Sequence, residues 1–140
     1  MPAFPDTSPV LRLLDVRASR EDLEAAFGVA LSRYEPYRKG PGTYAQVNFP
    51  DGADWDGVVA EMRRLGPALR LAVEQGKIVG LRLDVGIYLP RDCFHRGLIF
   101  PSALCEALGQ WGVELELSVY PVWEAEPEDA SDSASDPPAD

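Results

Sequence analysis

Two runs of strict alternation, separated by a short stretch with a different period, constrain this chain more than any other feature. Leu81, Leu83, Val85, Ile87 and Leu89 alternate with Arg82, Asp84, Gly86 and Tyr88. Val113, Leu115, Leu117 and Val119 alternate with Glu114, Glu116, Ser118 and Tyr120. A period of two puts every second side chain on the same face of a strand, so each run predicts one oily face for a core and one polar face for water or a partner. Between them, Leu104, Leu108 and Trp111 share one stripe at helical spacing. Ser102 is the expected cap of that helix, and Gly112 its stop.

The rest of the chain extends the pattern. Val10 to Val16 reads as a strand, and apolar residues on both its faces predict an interior position. Ser19 to Asp22 has the form of a capping box, with Leu23, Ala26 and Phe27 as the expected buried stripe and Gly28 as the left-handed stop. Residues 31–48 read as a hairpin turning at Lys39-Gly40-Pro41-Gly42, with Pro36 suited to an edge strand. Asp54 is placed to cap a long helix whose stripe runs through Trp55, Val58, Val59, Met62, Leu65, Leu69, Ala72 and Val73. Pro67 falls inside it. The stripe stays in phase across the proline, which predicts one kinked helix rather than two. The order is β-α-β-β-α-β followed by α-β. This predicts an α+β fold: a ferredoxin-like split βαβ sheet extended by a C-terminal α-β unit.

Charge divides the chain into two parts. Residues 124–140 hold seven acids and no base, with no large apolar side chain. Such a segment cannot bury enough surface to offset the entropy of ordering it, which predicts a disordered acidic tail after a single domain at 1–123. The net charge of −10 lies mostly in that tail. No run of 18 apolar residues exists, so no membrane contact is expected. The first nine residues lack the basic start and apolar stretch of a signal peptide, and two cysteines are too few for a disulfide framework. Both point to a cytoplasmic protein with free thiols.

From Leu81 onward the residues LRLDVGIYL, IFPSALCEALGQWG and VELELSVYP resemble a bacterial domain-of-unknown-function family, number four-two-seven-nine. Phe27-Gly28 and Arg38-Lys39-Gly40 stand where that family places a helix-ending pair and a basic turn. The resemblance spans residues 10–121 and implies a fold; it brings no activity with it.

Candidate chemistry is sparse. Cys93 and His95, the only histidine, have the residue types of a metal-ligating or nucleophile–base pair. Neither has the companions such sites need, and the plainer reading is an ordinary loop. No catalytic residue, metal or cofactor is therefore expected. Glu114 and Glu116 share one face of the last strand, with Asp84 on a neighbour; acid–base work would need a cleft, and a solvated face or a docking surface is the simpler reading. Arg33, Tyr34, Tyr37, Arg38 and Lys39 form a basic, aromatic cluster. Nucleic acid is not the expected partner, because the domain is net negative even without its tail. Trp55 and Trp111 fall on helix stripes and are expected in the core; Trp123 stands at the root of the tail.

These residues predict a non-catalytic protein-binding domain, an immunity-type inhibitor of a toxin being one form. Complementary charge favours a basic partner. The candidate contact residues are Tyr34, Tyr37, Arg38, Lys39, Asp84, Glu114, Glu116 and Trp123. The competing readings are a small-molecule-sensing or regulatory module and, third, an enzyme using Cys93 and His95. The oligomeric state is not set by the sequence.

Overall fold

The structure is a computed structural model and describes residues 7–50, 53–90 and 97–122. Along these, the elements run β1 (Thr7–Val16), α1 (Arg20–Phe27), β2 (Arg33–Pro36), β3 (Thr43–Asn48), α2 (Trp55–Glu74), β4 (Gly80–Pro90), α3 (Ser102–Trp111) and β5 (Glu114–Val122). The five strands form one mixed sheet in the order β2-β3-β1-β4-β5. Neighbours are antiparallel except β4 and β5, which are parallel and joined through α3. The fold is α+β, with β1 interior and β2, carrying Pro36, at an edge as the residue patterns predict.

Period two sets the core. Leu11 and Leu13 of β1 face Leu83 and Leu81 of β4 on one side, and Val47 and Ala45 of β3 on the other. Leu11, Leu13 and Leu83 are fully buried, each worth about 1.5–3 kcal/mol in removing apolar surface from water. Leu23 and Phe27 of α1, Met62, Leu65 and Leu69 of α2, and Leu104 and Leu108 of α3 close over this face. Trp55 and Trp111 pack against the cluster half-buried.

Local signals place most helix ends. Ser19 Oγ accepts from the Asp22 amide at 3.1 Å, and Gly28 at φ 71° closes α1. Asp54 caps α2 by accepting from the Gly57 amide at 2.9 Å. Pro67 lies inside α2, which runs unbroken for 20 residues. The cap of α3 differs from expectation. Pro101, extended at φ −59° and ψ 146°, occupies the N-cap, and Ser102 is the first helical residue with no side-chain cap bond. Ala26 and Val73 are exposed rather than buried; each lies on the flank of its stripe, beyond the reach of the sheet.

Two departures from strict alternation follow from tertiary packing. Val16 joins the core with Leu13 although it is three positions away. Asp15, at φ 52°, sits in a bulge where the pairing slips between Leu13–Ala45 and Val16–Thr43, and the extra residue turns Val16 inward. The second departure is larger. Leu115, Leu117 and Val119 lie on the helix side of β5, yet they are 40%, 49% and 57% exposed. The expectation that this face enters the core is overturned: their neighbours Leu83, Val85 and Ile87 of β4 are buried, whereas on the β5 side only Val113, just before the strand, is.

Glu24 ties α1 to the following loop. Its carboxylate accepts from the Leu31 amide at 2.8 Å and from Arg20 Nε at 3.1 Å. The backbone donor, then the guanidinium, hold its carboxyl below the ordinary value of 4.5. A carboxyl whose folded pKa is depressed stabilises the fold fully above its unfolded pKa, and that contribution is lost as pH falls through the folded value. Thermal melts between neutral pH and pH ~3 are expected to show a steeper acid loss for the wild-type chain than for Glu24→Gln. Equal slopes would mean that this carboxylate does not link folding to pH.

Candidate functional site on the open sheet face

Among the described residues the helices pack on one side of the sheet only, so Arg12 and Leu14 of β1, before the bulge, and Arg82, Asp84 and Tyr88 of β4 face outward with Tyr44 and Gln46 of β3 and Arg33 and Glu35 of β2. Register brings them into rows: Arg33 lies beside Gln46, Arg12 beside both Gln46 and Arg82, and Arg82 beside Glu114. At the hairpin side this face dips into a cleft of about 220 Å³ lined by residues of all five strands and of the β2–β3 turn.

The floor of the cleft is built on Tyr44 and Arg12. Tyr44 is 6% exposed. Its ring stacks on Tyr37 at 5.9 Å between centroids, and the guanidinium groups of Arg33 and Arg12 lie 5.2 and 5.9 Å from its centre. These are cation–π distances. The Tyr44 hydroxyl donates to Gln46 Oε1 at 2.7 Å. Burial pushes its pKa up, partly offset by Arg12 and Arg33, so the phenol stays neutral at physiological pH. Asp84 is the one charged residue buried among those described. Its Oδ2 is 2.6 Å from the Arg12 guanidinium, and its Oδ1 accepts from Ser118 Oγ at 2.8 Å. The solvated position expected for Asp84 is thus overturned: a neighbouring arginine arches over it and a hydroxyl closes it from β5.

Charge in the cleft is layered. Arg33 pairs with Glu35, and Arg82 with Glu114 at 3.2 Å. The latter pair is open to water and contributes about 0–1 kcal/mol. Arg38 and Lys39, both exposed on the turn, form no ion pair among the described residues. Two polar atoms, Arg12 Nε and Glu116 Oε1, are buried with no hydrogen-bond partner among the described residues. A donor and an acceptor are thus left unmatched beneath the cleft surface, at the cost such buried groups carry.

Of the expected contact residues, Tyr37, Arg38, Lys39 and Glu116 line the cleft, and Asp84 and Glu114 support it through Arg12 and Arg82. Tyr34 does not belong to it. It faces the helices, packs on the core, and its hydroxyl donates to the Ala18 carbonyl at 2.7 Å. Its neighbours Arg33 and Glu35 take the outward positions, because alternation in β2 turns successive residues to opposite sides. Trp123, the acidic segment 124–140, Cys93 and His95 lie outside the described residues. Arg12, Tyr44 and Arg82 are the residues that sequence reasoning missed as site members. Their signal was available in parity: each is polar or aromatic on a strand whose alternate positions are apolar.

Among the described residues no group of three His, Cys, Asp or Glu is placed to hold a metal ion, and no helix is long and apolar enough to cross a membrane. The thiol of Cys105 is free and exposed. No family model, curated protein or solved structure matches this chain.

Proposed function

We propose that this is a non-catalytic binding domain of the ferredoxin-like split βαβ type, extended by α3 and β5, and that its open sheet face takes a carboxylate-bearing segment of a protein partner. The strand order 2-3-1-4 with all three pairs antiparallel supports the first part. No family is shown for this chain, so the functional reading rests on the cleft.

The carrying observation is the sign of its charge. The chain is net −10, yet the cleft is lined by five cations (Arg12, Arg33, Arg38, Lys39, Arg82) and two carboxylates (Glu35, Glu116); with Asp84 and Glu114 paired to Arg12 and Arg82 the balance stays positive, and Arg38 and Lys39 carry it at the rim. A partner chosen by the total charge would be basic; one chosen by this surface is acidic. Arg38 and Lys39 supply uncommitted donors at the rim, and the Tyr37–Tyr44 wall supplies flat apolar area of the kind that anchors interfaces. At about 220 Å³ the cleft is smaller than the ~300–1,000 Å³ typical of drug-sized ligand pockets, which favours a side chain or two of a protein segment over a whole small molecule. In a cell, an immunity-type inhibitor would use such a face to hold its toxin.

A fluorescein-labelled oligoglutamate peptide tests the reading by anisotropy. Binding is expected at low salt, weakening as salt screens it. Reversing both rim charges, Arg38→Glu with Lys39→Glu, is expected to weaken it by about tenfold or more, while Arg63→Glu on α2 changes it little. Peptide binding that is absent, or that responds equally to both sets of reversals, would remove the cleft as the recognition site.

A further inference from the structure

The two edges of the sheet are unlike. β2 is four residues long, carries Arg33 and Glu35, and ends in Pro36. Charge, brevity and proline are the usual ways of keeping an edge from pairing with another strand. β5 is nine residues long and less protected over Glu114–Tyr120: Glu114 and Glu116 are its charges, it has no lysine or arginine, and its proline waits until Pro121. One flank pairs with β4. Among the described residues the other flank has no strand beside it, and it offers backbone donors and acceptors to a further strand. The helix side of the same strand shows the exposed stripe Leu115, Leu117 and Val119.

We propose that β5 pairs antiparallel with β5 of a second copy, joining two sheets into one of ten strands about a two-fold axis at Leu117. The register is self-complementary. Leu117 faces its own copy, and Leu115 faces Val119 of the second copy, so all three apolar residues meet apolar ones. On the opposite side Glu116 faces Ser118 and Glu114 faces Tyr120, so no carboxylate stands directly opposite another. The contact closes on itself. Head-to-tail addition of β5 to a neighbour's β2 would run on into a filament, and the short, charged, proline-ended β2 opposes it. The surface is separate from the cleft, and its response to salt has the opposite sign. Two chains of net −10 repel, so added salt strengthens this dimer while it weakens capture of an acidic segment.

Sedimentation velocity of the full chain, from micromolar to submillimolar concentration and at two salt levels, reads the association. The wild-type chain is expected to pass from monomer to dimer, at lower concentration in high salt. Leu117→Lys puts two like charges at the axis and is expected to stay monomeric throughout, a weakening of more than about tenfold, with its thermal midpoint unchanged at concentrations where both chains are monomeric, because the side chain is half-exposed there. In a chain with Cys93 and Cys105 replaced by serine, Leu117→Cys is expected to form disulfide-linked dimers faster than Leu115→Cys or Val119→Cys alone. A wild-type chain that is monomeric throughout overturns the proposal, and a lowered midpoint for Leu117→Lys would then show that the chain's own residues cover the stripe. Dimers that persist in Leu117→Lys, or cross-linking fastest at another position, also overturn it.

Discussion

Alanine in place of Gly66 is expected to destabilise the fold by about 2 kcal/mol, although alanine is the better helix former by ~1 kcal/mol. A Cβ at this position would lie 2.3 Å from Cε2 of Trp111 and 2.4 and 2.5 Å from Cδ2 and Nε1. All three atoms belong to one rigid ring, so the whole indole must move to relieve the contact. Gly66 is itself buried in the middle of α2. The indole lies flat on the helix backbone there, and this is how α3 seats on α2. Moving the ring opens that seam, at the ~1–3 kcal/mol typical of overpacking, and that cost outweighs the propensity gain. Urea unfolding would measure it. The same substitution in a Trp111→Leu background is expected to be neutral or stabilising, because the ring it collides with has gone. The resulting coupling of about 2 kcal/mol is the signature of direct contact. A Gly66→Ala variant more stable than wild type would show that the ring yields freely.

The Arg12–Asp84 pair is expected to show the second large effect, and an asymmetric one. Asp84 is 5% exposed at its side chain, whereas Arg12 is 33% exposed. Removing one member of a buried pair typically costs ~3–5 kcal/mol because the other charge is left without compensation. Arg12→Leu strands the better-buried carboxylate, leaving it the hydrogen bond from Ser118, and is expected to cost about 3 kcal/mol. Asp84→Ala strands a guanidinium that still reaches water and the face of Tyr44, and is expected to cost about 2 kcal/mol. The double variant Arg12→Leu with Asp84→Leu should cost less than the sum of the two, since neither charge remains. Chemical denaturation of the three variants gives the comparison; equal single costs that add would mean that the pair carries no coupling.

Asp84 also shows where one-dimensional reading stops. Its place on the outward side of β4 was legible, because Leu83 and Val85 must face the core. Its burial was not. That depends on Val10–Arg12 lying beside it in β1 and Ser118 beside Gly86 in β5, and neither register is written in the local pattern. Tyr34 was misplaced for a related reason. A cluster of basic and aromatic residues in sequence is divided between two faces once it becomes a strand. The helix ends at Ser19, Gly28, Asp54 and Gly112 were legible because capping is chemistry within four residues. The cap at Ser102 failed because Pro101 held the extended conformation the position needs.

Taken by itself, the residue order determined whatever spans a few positions: the periods of strands and helices, most of their ends, the hairpin turn, and thereby the succession of eight elements. Only the assembled sheet decided which side of each strand meets a helix, which charges are enclosed, and that β5 keeps an oily stripe in the open. The reason is geometric. A strand's alternation states that it has two different faces. What lies against either face is set by strand order and by how far the helices reach across the sheet, and both are relations between residues distant along the chain.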